Sequence, residues 1–190
     1  MTAVTQTLNE YKTQLARNRL GLWLFMVSEI FLFGGLLISR ILLWGDTRPH
    51  LEQGLAFVIT AILLVSSFFM NRAETAIEYG DLKEFKRSIL WTVALGTLFL
   101  VGVVALEWPT SGLSASEDIY GAVFFIMTGM HAFHVLTGII FLLVVYRNGK
   151  NGLYSPERHW AVEAAAIYWH FVDVVWIFFY PAIYLIGTAA

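Results

Sequence analysis

Five apolar runs, each long enough to cross a bilayer, decide what this chain can fold into. They lie near Leu20 to Leu43, Gly54 to Met70, Ser88 to Leu106, Ile119 to Tyr146 and Trp160 to Gly187. Hydrocarbon about 30 Å thick offers backbone amides no water, so a helix of about 20 residues, rising ~1.5 Å each, is the expected way across. The fold class that follows is all-α, an integral membrane bundle of five transmembrane helices. Composition agrees, with 58% hydrophobic and only 14% charged residues, against about 25% charged in soluble domains. A water-soluble enzyme and a disordered chain are thereby excluded. So is nucleic-acid binding, because the net charge is −2 and phosphates call for a basic face. The chain has no cysteine, which removes disulfides, thiolate metal sites and iron–sulfur clusters.

The connections organise the chain. Residues 1–19 are polar and read as a cytoplasmic tail, with 20–190 as one five-helix domain. No cleavable leader is expected before Leu20, so the first span serves as its own insertion signal. Gly45, Asp46 and Pro49 close the first span, Gly80 and Asp81 mark a tight turn, and Pro109 to Ser116 separates the third and fourth spans. Ser114 with Glu117 reads as a capping box for the fourth helix. Ser155, Pro156 and Glu157 read as the opening of the fifth, and Pro181 interrupts its last turns. The charge-dense but balanced stretch from Asn71 to Arg87 prolongs two helices into water. Ten of the 12 Lys and Arg fall in the tail and in the second and fourth connections, leaving Arg40 and Arg48 for the opposite side. The positive-inside rule then sets the N-terminus in the cytoplasm and the C-terminus outside. Trp23, Trp91 and Trp160 are expected at the inner boundary, and Trp44, Trp108 and Glu107 at the outer one.

Ionisable groups within spans cost roughly 2.5–3.5 kcal/mol each on insertion scales and call for a reason. Glu29 lies in the first span, His131 and His134 in the fourth, and Glu163, His170 and Asp173 in the fifth. By helical rise all but Glu163 share a middle stratum, and His131, His134 and Gly138 fall on one face. A polar interior seam, with carboxylates meeting imidazoles across helices, is the simplest arrangement. It serves first as a structural network; a metal held by His131, His134 and a carboxylate from Glu29 or Asp173 is the sharper alternative, and a proton or ion path is another, although the five spans show no repeat of the transporter kind. Haem ligation by His131, His134 or His170 is open on residue type alone. A di-iron bundle is not expected, since the paired Glu-x-x-His motifs it needs are absent from the sequence. The spans also lack a nucleophile elbow.

Longer motifs carry a resemblance. The run Tyr168-Trp169-His170-Phe171-Val172-Asp173-Val174-Val175-Trp176 resembles the signature of subunit III of the haem-copper oxidases. Thr128 to Gly138, containing His131 and His134, is similar to that family's histidine-pair motif, and Ser28 to Gly35 to its buried-glutamate helix. Glu163 to Ala166 and Leu106-Glu107-Trp108 also match, in order. The resemblance implies a non-catalytic subunit carrying neither haem nor copper, with both metals in its partners: a catalytic haem-copper subunit I and a copper-binding subunit II. It further implies bound phospholipid, support of proton uptake and protection of the catalytic subunit, in a bacterial inner membrane and within a larger respiratory supercomplex. Glu29 is then the buried acid of a lipid cleft. His131, His134, Glu163, His170 and Asp173 form the interior network, and Trp169, Trp176 and Gly138 are packing residues. The long form of the family has two more N-terminal helices, so this chain resembles the short five-helix form. A quinol oxidase subunit III and an accessory subunit of nitric-oxide reductase share the fold.

Overall fold

The structure, a computed structural model, describes residues 8–189; the first seven residues of the expected tail lie outside the described residues. Five helices are long and apolar enough to span a membrane: α1 (Leu8–Trp44), α2 (Gln53–Glu78), α3 (Leu82–Thr110), α4 (Ile119–Lys150) and α5 (Trp160–Leu185). α1 is helical from Leu8, through the polar stretch ahead of Leu20. The bundle has an N-terminal face, where α1 and α5 begin, and a C-terminal face, where the chain ends.

α2 and α3 form a hairpin closed by three residues. Gly80 takes φ +78°, the left-handed conformation that glycine adopts without a Cβ clash. Asp81 then accepts from the amides of Lys83 and Glu84 at 3.0 and 2.9 Å, capping α3. Beyond the apolar spans, Glu84 binds Arg72 at 2.5 Å and Arg87 at 2.9 Å. The balanced charges of this stretch therefore tie two helix ends together.

Burial ranks the helices. In its most apolar stretch α5 is 61% buried, α4 50%, α2 and α3 33% each, and α1 only 11%. α5 is the hub because its two tryptophans wedge inward: Trp169 is 1% and Trp176 0% exposed. The Trp169 ring occupies a slot between Gly96 of α3 and Gly138 of α4. A Cβ at those glycines would fall 2.5 Å from Cη2 and 3.0 Å from Cε3. Absent side chains at both positions are what let a large indole into the centre of the bundle.

Two spans carry π-helical turns near their ends. In α3 the wider turn covers Gly102–Glu107, just before Pro109, and in α5 it covers Pro181–Leu185. Pro181 has no N–H to continue the i→i−4 ladder, so the expected interruption becomes a π turn. At the C-terminal face β1 (Thr47–Arg48) pairs in parallel with β2 (Thr188–Ala189), with Thr47 opposite Thr188. Arg40 braces this corner, donating from Nη1 to the Gly45 carbonyl at 3.1 Å and from Nη2 to the Ile186 carbonyl at 2.5 Å. Its guanidinium also lies 5.0 Å from the Trp44 ring.

Four local expectations are corrected. The cap of α4 is Asp118, whose side chain accepts from the Gly121 amide at 2.5 Å. Asp118 is the extended residue directly ahead of the helix, within reach of the third amide, whereas Ser114 faces Ser116 instead. Ser155, Pro156 and Glu157 form a turn closed by Ser155 and Arg158, and α5 starts only at Trp160, after His159. Trp44 does not face outward as a belt residue would but is 3% exposed, packed against Tyr120 and Arg40. Glu107, expected at the interface, is 4% exposed, because the π turn carries it inward against α5.

Candidate functional site: polar groups between the helices

The ionisable residues of the spans do not form one seam. They fall into separate sets at different depths, because residues three apart on a helix diverge by about 60° around its axis.

The first set joins α1 to α4 and α5. Glu29 Oε2 lies 2.9 Å from His134 Nε2, and His134 Nδ1 lies 2.7 Å from the Met130 carbonyl one turn earlier. Phe33 meets the imidazole edge-on, with ring centroids 4.7 Å apart. Tyr168 of α5 donates to the His134 carbonyl at 3.1 Å, and its hydroxyl shares a 2.7 Å hydrogen bond with Thr137. A cavity of about 520 Å³, lined by Leu22, Phe25, Phe141 and Tyr168 among others, opens beside Glu29 and His134. A second, apolar cavity of about 250 Å³ lies on the other flank of α1, against Phe171, Val174 and Phe178.

His131 is separate. It is fully buried with neither ring nitrogen hydrogen-bonded. Its ring lies 4.7 Å from that of Trp176 and 5.5 Å, edge-on, from that of Phe99. One histidine of the pair thus has its ring nitrogens against a carboxyl and a carbonyl, and the other packs among aromatic rings with both nitrogens unpartnered.

The third set runs between α5 and α2. His170 Nδ1 is 3.0 Å from the Ser67 hydroxyl, and the buried Asp173 carboxyl interacts with the same hydroxyl. Alongside, Trp169 donates to Ser66 at 3.0 Å and Trp176 to Thr60 at 2.9 Å. Trp169, His170 and Trp176 are therefore matched to hydroxyls of α2, while Tyr168 of the same run turns to α4. Those hydroxyls were not singled out from sequence, although Thr60, Ser66 and Ser67 at near-helical spacing inside an apolar run are a readable sign of a polar face.

Glu163 belongs to the N-terminal face rather than to the interior. It accepts from Arg19 of α1 at 3.1 Å and lies 3.4 Å from His159, while Arg19 also sits 5.6 Å from the Trp160 ring. At the opposite face Glu107 accepts a hydrogen bond from the Tyr184 hydroxyl, a buried pair that sequence reasoning missed. Among the described residues no three His, Asp or Glu side chains converge as metal ligands. His131 and His134 point to different neighbours and do not chelate together.

The family model for cytochrome c oxidase subunit III matches residues 46–188. The chain belongs to that family. The subunit 3 of Thermostichus vulcanus is 35% identical over 174 residues, covering 88% of this chain and 86% of that protein. That of Synechocystis is 36% identical, covering 87% and 74%, and that of the brine shrimp Artemia franciscana 36%, covering 89% and 69%. Membership places the chain as a subunit III of a haem-copper oxidase, part of a membrane oxidoreductase complex. The run Tyr168–Trp176, which resembles the family's signature, is the stretch of α5 that fills the Gly96–Gly138 slot and meets the α2 hydroxyls.

Proposed function

We propose that the chain is the non-catalytic subunit III of a respiratory cytochrome c oxidase in a bacterial inner membrane, N-terminus cytoplasmic and C-terminus periplasmic. It binds the catalytic subunit I, which with the copper-binding subunit II carries the haem and copper, and it steadies that complex during reduction of oxygen to water. The observation that carries this reading is α1. It is only 11% buried in its most apolar stretch, and Leu24, Phe31 and Leu42 are 63–76% exposed. Such a face is suited to contact with a neighbouring subunit and with lipid. The apolar cavity against Phe171, Val174 and Phe178 is of a character that suits a phospholipid acyl chain. Glu29, with His134 beside it, is the acid through which the subunit supports proton uptake. The uneven division of basic groups between the two sides, ten to two, supports the orientation.

Purification of the tagged chain in mild detergent tests the assembly. A co-purifying subunit with haem and copper spectra is expected, and a chain recovered alone from cells that respire normally overturns the reading. Glu29→Ala is expected to shorten the turnover lifetime of the oxidase more than it lowers the initial rate of electron transfer. An immediate loss of electron transfer in a correctly assembled complex would show that Glu29 acts elsewhere.

A further inference from the structure

We propose that Glu29 and His134 hold one exchangeable proton between them as a pair of zero net charge, with His134 the residue that positions it. Counting donors and acceptors gives the number of hydrogens. A carbonyl oxygen only accepts, so His134 Nδ1, 2.7 Å from the Met130 carbonyl, carries a hydrogen. His134 Nε2 and Glu29 Oε2 are 2.9 Å apart. A bare imine nitrogen and a carboxylate oxygen both only accept, so that contact holds a single hydrogen as well. Whether it resides on oxygen or on nitrogen, the charges of the two side chains sum to zero. Moving it along the contact changes no bond elsewhere. The other tautomer, with hydrogen on Nε2 alone, would set the Nδ1 lone pair against the Met130 carbonyl and leave a net negative charge in hydrocarbon.

The surroundings favour the neutral sum. Among the described residues no Lys or Arg pairs with Glu29, and Arg19, on the same helix, is taken up by Glu163. Phe33 and Phe133 flank the imidazole, with ring centroids 4.7 and 5.7 Å away. His134 itself is held in place, by Met130 through its ring and by Tyr168 and Thr137 through its carbonyl. Exchange is open because the pair lines the 520 Å³ cavity together with the Thr137 and Tyr168 side chains. Side-chain exposure there is 13% for Glu29 and 8% for His134. The proposal rests on the subunit III reading only for the use of the proton, not for its place.

Nitrogen-15 NMR of histidine-labelled protein, isolated in mild detergent with whatever subunits accompany it, tests the pair. His134→Gln identifies the signals. In the native chain Nδ1 is expected as an N–H nitrogen and Nε2 as one strongly shifted by its partner. Glu29→Gln should turn Nε2 into an ordinary acceptor while leaving Nδ1 protonated. If Glu29→Gln fails to assemble, Glu29→Asp, which draws the carboxyl back by one methylene, should move the same Nε2 signal. An imine-type Nδ1 in the native chain, or an Nε2 signal indifferent to the change at Glu29, overturns the proposal. Transfer to D₂O should shift a carboxyl or carboxylate infrared band that is lost in Glu29→Gln and displaced in His134→Gln, and no shift would refute exchange. Each of these readouts stands whether or not a haem subunit co-purifies, so failure of the pair and failure of the assembly reading are told apart.

Discussion

Trp169 and Gly96 fit so closely that a single methyl group would not go between them: a Cβ on Gly96 would lie 2.5 Å from Cη2 of the indole. The contact joins α3 to the signature stretch of α5. Gly96→Ala is therefore expected to destabilise the bundle by about 1–3 kcal/mol through overpacking. Gly138→Ala, where the approach is 3.0 Å, should cost less. Thermal unfolding of the purified complex checks the order. Equal effects at the two positions would mean that the indole shifts freely in its slot.

The indole hydrogen bonds are a separate contribution. Trp176 Nε1 donates to Thr60 at 2.9 Å, and Trp176→Phe removes that donor while keeping an aromatic ring. A double-mutant cycle with Thr60→Val should give a coupling of about 0.6 kcal/mol, the usual worth of an interhelical polar contact in a membrane. Zero coupling, read from unfolding in detergent, would assign the whole role of Trp176 to packing.

Glu107 and Tyr184 tie the π turn of α3 to that of α5. Tyr184→Phe leaves a buried carboxyl that has already one unpartnered oxygen with no partner at all, at a cost of about 1–3 kcal/mol. Glu107→Gln keeps an acceptor for the tyrosine and should be close to native in stability. Melting curves of the two variants decide the matter, and an equally low melting point for both would show that the hydrogen bond is not what holds these ends.

Arg40 closes the C-terminal corner through the carbonyls of Gly45 and Ile186. Arg40→Met keeps much of the length and loses both hydrogen bonds. Faster trimming of the C-terminal residues by a carboxypeptidase is expected in this variant. Unchanged trimming would mean that the pairing of Thr47 with Thr188 suffices.

Much of the candidate site could be read from residue type alone. Glu29, His134, His170 and Asp173 stand out because an ionisable group inside an apolar run is costly, and each is found turned toward a neighbouring helix or cavity. Their grouping could not be read in this way. His131 and His134 share a stretch of sequence, yet one packs on Trp176 and the other on Glu29. The few tens of degrees between them matter only once the neighbouring helices are in place. Glu107 looked interfacial because it stands at the outer end of the third span beside Trp108, and the extra residue of a π turn is invisible in a hydropathy pattern.

The sequence by itself determined five helices, their approximate bounds, the tight turn at Gly80 and the class of membrane bundle, because hydrocarbon leaves the backbone little choice and the apolar runs set the lengths. Tertiary structure alone decided which helix lies at the centre, which faces meet and which polar atoms find partners. Inside a membrane most spans are apolar on every side, so no hydrophobic stripe indicates the inward face. What selects it is close fit and hydrogen bonding between particular groups, Trp169 against Gly96 and Gly138, and Trp176 with Thr60.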